Sequence, residues 1–166
     1  MKPIPQLLLL LASLSFVRSY AQENMPLKSA NAKIENKKTV FYNAQSGISI
    51  IGGGAYSTLT IVFSTSDGES MTITLATNKT FGQREFRVRP VSDPGIENAQ
   101  MTYRSNAGKV FEAAGSTGTG SVSITRLKND SVEGIFSGRF KQRKSENTIE
   151  IVAGHFHATL TKPDPE

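Results

Sequence analysis

The sequence predicts an all-β protein, an antiparallel β-sandwich or partly open barrel of about ten short strands. Three observations lead there. From Lys33 onward apolar residues recur with a period of two nearly everywhere, the pattern of half-buried strands. The runs are rich in Thr, Ser, Val, Ile and Phe, which suit a pleated surface with one buried face. Clusters of Gly, Ser, Asn and Asp separate them, and no window carries an amphipathic helical period.

The N-terminus comes first in chain order. Met1-Lys2 is a short basic start, Leu7–Leu11 an unbroken leucine run, and Ser19-Tyr20-Ala21 places small residues at −3 and −1 of a cleavage site. Residues 1–21 are therefore expected to be a signal peptide, with an apolar stretch short of the about 20 residues that span a bilayer. The mature chain then starts at Gln22, is exported and carries no transmembrane anchor. With no cysteine it has neither a lipid-attachment site nor a disulfide, and must be held by its core. Without Lys2 and Arg18 the 19 basic residues fall to 17 against 14 acidic, a net +3. So small and interspersed a charge argues against nucleic-acid binding.

Residues 22–32 have no apolar period and are expected to be a flexible lead-in; 33–161 form one β domain, and 162–166 a proline-bearing tail. Within the domain, Leu59, Ile61 and Phe63 alternate with Thr58, Thr60 and Val62, and Met71, Ile73 and Leu75 with Thr72 and Thr74; the "SDGES" between them is a hairpin turn. "IGGGAYST" (Ile51–Thr58) lacks the Lys-Ser/Thr ending of a phosphate loop and is expected to be a turn. Phe86 and Val88 set the inward face of the next run, leaving Arg87 and Arg89 outward. Val122 and Ile124 sit between Ser121, Ser123 and Thr125, before an Asn129-Asp130 turn.

The last two runs are "SVEGIFSGRFKQR" (Ser131–Arg143) and "TIEIVAGHFHATL" (Thr148–Leu160). In the first, Val132, Gly134, Phe136, Gly138 and Phe140 share a face, with Ile135 out of character on the other. In the second, Phe156, Ala158 and Leu160 set the inward parity, which turns His155 and His157 outward. Ile149 and Ile151 have the opposite parity, so a β-bulge at Ala153-Gly154 must reconcile the halves.

These runs resemble the C-terminal signature of uncharacterised secreted β-domain families of Gram-negative bacteria, many of them lipoproteins. The resemblance rests on Gly120, Val122, Ile124 and Thr125, then Val132, Gly134, Phe136, Ser137 and Gly138, then Ile151, Gly154 and Phe156. The stretch Ala32–Ala44 is similar to their opening hairpin, with Asn36-Lys37 for Asn-Gly and Phe41 for Trp. It implies a secreted β-domain and brings no activity with it.

Few residues invite chemistry. His155 and His157 put two imidazoles on one strand face, the spacing of zinc sites on sheets; zinc needs three or four protein ligands, and only Glu133 or Glu150 suggests itself as a third. Arg87 and Arg89, with Lys141 and Arg143, would form a basic stripe for anionic glycans or lipid headgroups if their strands lay side by side. No serine sits in a nucleophile elbow and no carboxylate pair stands out. The expectation is a secreted or periplasmic, non-enzymatic cell-envelope interaction or accessory module without a cofactor, its partner an envelope protein or an anionic group. The alternatives are a lipocalin-like carrier of a small ligand, whose Gly-x-Trp signature is missing, and a metal-dependent hydrolase centred on His155 and His157. Without Trp, sugar stacking would fall to Tyr42, Tyr56 or Tyr103.

Overall fold

The computed structural model describes residues 26–51, 56–89 and 97–161, with the backbone alone for 45–51. The N-terminal apolar run, its cleavage site, glycines 52–54 and the tail 162–166 lie outside the described residues. Among the described residues all ten regular elements are strands: β1 (Ser29–Ile34), β2 (Lys37–Ile51), β3 (Tyr56–Ser64), β4 (Ser70–Thr77), β5 (Arg84–Val88), β6 (Asn98–Arg104), β7 (Val110–Ala113), β8 (Gly118–Leu127), β9 (Ser131–Gln142) and β10 (Thr148–Thr161). The strand β1 begins at Ser29, inside the stretch expected to be a lead-in, because Ala30, Ala32 and Ile34 are buried core residues. Small alanines hide that parity from a reading of large apolar residues.

The strands form one sheet whose pairings run in a ring, β1-β10-β2-β3-β4-β6-β5-β8-β9-β7 with β1–β2, β10–β9 and β6–β7 added. Such closure satisfies strand edges that would otherwise be open to other chains. The sheet is mixed rather than wholly antiparallel. Thr159–Thr161 of β10 run parallel to Gln45–Gly47 of β2, and Arg87-Val88 of β5 parallel to Asn98-Ala99 of β6.

Local sequence fixes the turns. Glu35 and Asn36 both take positive φ (48° and 68°) in the two-residue β1–β2 hairpin, the pairing a type I′ turn demands. The β3–β4 turn uses Gly68 at φ 91°, and Thr65 accepts the amide of Glu69 on its hydroxyl at 3.0 Å.

The core follows the alternation. Leu59, Ile61, Phe63, Met71, Ile73 and Leu75 are all buried, as are Phe86, Val122, Ile124, Phe136, Phe140 and Phe156. Aromatic rings meet across the interior: Phe41–Phe63 at 5.0 Å between centroids, Phe63–Phe136 at 5.8 Å and Phe136–Phe156 at 6.4 Å. The Phe63–Phe136 contact joins β3 to β9, which are not neighbours in the sheet. From β6, Met101 reaches the facing pair Gly120 and Gly138; a Cβ on either would stand 2.7 or 3.1 Å from its methyl carbon. At these levels the walls touch through their side chains.

Candidate functional site

The two Gly-x-Phe units that matter are Gly134-Ile135-Phe136 and Gly154-His155-Phe156, and they interlock. Antiparallel pairing sets Gly154 opposite Phe136 and Phe156 opposite Gly134. Each ring lies over the other strand's glycine. A Cβ on Gly154 would fall 2.6 Å from three atoms of the Phe136 ring, and one on Gly134 would collide with the Phe156 ring and stand 2.5 Å from the Ser123 carbonyl oxygen. These glycines are required for close approach, not for unusual backbone angles.

The expected bulge is present, as a register shift between Ile151 and Gly154. The positive φ falls on Ala153 (50°) rather than on the glycine. Gly154 is reserved for the Phe136 ring, so the left-handed angle moves to its small, exposed neighbour. This shift turns His155 and His157 onto the outer wall while Ile149 and Ile151 stay buried.

Cross-strand register then assembles a groove of about 800 Å³ on the outer wall of β8, β9, β10 and β1. Asn31, His155, Ile135 and Ser123 line up across the four strands, and Ser29, His157 and Glu133 across three. Arg126 stands opposite Glu133 on β8. Lys33, Ser121, Thr125 and Ser137 complete the polar lining, and Ile135 is 43% exposed within it. Glu133 is the electrostatic centre: its Oε1 lies 3.3 Å from an Arg126 guanidinium nitrogen and 3.7 Å from His157 Nε2. Glu133 and His157 are both largely covered, at 17% and 20% side-chain exposure.

The histidines therefore sit together with Glu133, whereas Glu150 pairs with Arg139 beyond the bulge and outside the groove. Among the described residues no three His, Cys, Asp or Glu side chains converge in a way that would hold a metal ion.

The basic stripe is corrected. Strand β8 lies between β5 and β9, so Arg87 is not beside Lys141 or Arg143. Their charges are also engaged locally: Arg87 with Glu85 at 3.4 Å, Lys141 with Glu146 at 2.9 Å, and Arg143 with Glu112, whose hydrogen bond raises the guanidinium pKa further. Arg89 is exposed, its amide donating to Asn98 Oδ1 at 3.1 Å. Among the tyrosines, Tyr42 is exposed, Tyr56 half-buried and Tyr103 buried. Burial, then a hydrogen bond with Glu69, pushes the Tyr103 phenol well above its ordinary range.

Sequence reasoning missed Lys33, Arg126 and the Ser121, Ser123 and Ser137 hydroxyls. Counting outward from the Asn129-Asp130 turn brings Arg126 near Glu133, a signal that was present; Lys33 depends on a long-range pairing that no local pattern shows.

No family model matches the chain, and neither a curated protein nor a solved structure matches it.

Proposed function

We propose that this protein is an exported, non-enzymatic cell-envelope module that holds its partner on its outer wall, in the groove across β8, β9, β10 and β1. One observation carries this reading. The phenylalanine-packed interior leaves its walls in contact, while the outer wall offers a concave, polar, partly charged surface built from residues of four strands. The N-terminal Leu run and Ser19-Tyr20-Ala21, with the resemblance to secreted β-domains, support the exported setting.

The test is fractionation of cells expressing the full chain with a C-terminal epitope, followed by capture from envelope extract. The reading expects exported protein beginning at Gln22, and retention that falls in Lys33→Glu and Ile135→Asp variants. Protein that still begins at Met1 in the cytoplasm, or envelope retention unaffected by both substitutions, contradicts it.

A further inference from the structure

The groove is a binding surface with a composition of its own, and that composition narrows its ligand. Its lining combines hydroxyls (Ser121, Ser123, Thr125, Ser137), two cations (Lys33, Arg126) and one carboxylate (Glu133). Among the described residues Lys33 makes no ion pair and is exposed. Two cations against one carboxylate give the lining an excess of one positive charge from its Lys, Arg and Glu side chains.

We infer that the groove binds an acidic glycan chain, with Lys33 meeting its anionic groups and the serine and threonine hydroxyls meeting its sugar hydroxyls. This rests on the reading of the groove as the module's binding surface. Three features favour a sugar chain over other anions. A groove crossing four strands suits an elongated ligand, whereas a bilayer surface would need a protruding patch with apolar residues at its tip. The hydroxyl lining matches a ligand rich in both donors and acceptors. Ile135, flanked by His155 and Ser123 in the register, gives a sugar ring a small apolar and imidazole face. Nucleic acid would need more positive charge and larger aromatic platforms for its bases, and Phe136 and Phe156 of the lining are buried rather than turned outward.

His157 faces Glu133 on β9, with Arg126 of β8 behind it, and is paired on β1 with Ser29. His155 faces Asn31 on β1 and Ile135 on β9, with Ser123 of β8 beyond.

The experiment is calorimetric titration of the full chain with tetragalacturonic acid, beside maltotetraose, inorganic phosphate and phosphatidylglycerol vesicles. Tetragalacturonic acid should bind saturably, weaken about tenfold in Lys33→Glu, and weaken between about 0.05 M and about 0.5 M salt. A far-UV spectrum checks that each variant keeps its β fold; Lys33, exposed and without an ion pair among the described residues, is the substitution least able to disturb it. Equal binding of maltotetraose, equally effective competition by phosphate, an unchanged Lys33→Glu affinity, or vesicle binding without tetragalacturonate binding would each overturn the inference. If tetragalacturonate fails while envelope retention still depends on Lys33 and Ile135, the glycan assignment falls and the module reading stands.

Discussion

Replacing Gly154 with alanine puts a methyl group where the Phe136 ring already sits. The added Cβ lies 2.6 Å from Cε1, Cε2 and Cζ of that ring, against roughly 3.5–4.0 Å for ordinary carbon contacts. The ring must retreat by about 1 Å in a core where Phe136 already touches Phe63 and Phe156. Overpacking of this kind costs roughly 1–3 kcal/mol. Alanine also restricts the unfolded chain, which returns roughly 0.4–1 kcal/mol. Gly154 is not among the positive-φ residues, so no backbone strain is added, and the expected net loss is about 1–2 kcal/mol. A double-mutant cycle isolates the contact. Phe136→Ala alone should cost roughly 3–5 kcal/mol. In the Gly154→Ala background it should cost less, because the collision disappears with the ring, leaving a coupling of about 1–2 kcal/mol. Urea unfolding of the four proteins at equal m-value measures it. Additivity within about 0.3–0.5 kcal/mol would refute the interlocked Gly-x-Phe packing.

Ala153 holds a left-handed backbone angle at the bulge, so Ala153→Gly should be neutral or stabilising by up to about 1 kcal/mol while Ala153→Val destabilises, since branched side chains fit that region worst; thermal midpoints that rank valine above glycine would place the bulge elsewhere. Tyr103 has a phenol raised above its unfolded value chiefly by burial. Its contribution is complete below about pH 10 and is lost as pH rises through the folded value, so the wild-type unfolding midpoint should fall more steeply above about pH 10 than that of Tyr103→Phe. Parallel pH profiles would contradict the buried phenol. The cations of the dispersed stripe should matter little: replacing Arg87, Arg89, Lys141 and Arg143 with alanine should leave envelope retention unchanged where Lys33→Glu lowers it, and a comparable loss would restore the stripe.

Much of the fold was legible because each strand has one buried face. Met71, Ile73 and Leu75, or Phe136 and Phe140, declare their side by alternation alone, and a one-residue slip would expose them all. The bulge was legible for the same reason, as the break in parity between Ile151 and Phe156. Ala30 and Ala32 were not, since alanine is too small to mark a face. Order in the ring was also hidden: that β8 separates β5 from β9, and that β10 lies between β1 and β9, depends on pairings across the whole chain. The site shared that fate. The outward turn of His155 and His157 was local information, whereas the convergence of Lys33, Arg126 and Glu133 on them is a product of register between four strands.

The central claim is that binding takes place on the outer wall, over Ile135. Because the chain has no cysteine, Ile135→Cys supplies a single thiol in the groove, and Thr102→Cys supplies one on the half-buried outer face of β6. Each is labelled with a benzophenone maleimide, mixed with envelope extract and irradiated. The account predicts a discrete crosslinked species from position 135, suppressed by excess unlabelled protein, and none from position 102. Crosslinks from 102 alone, or from both positions equally, would contradict it.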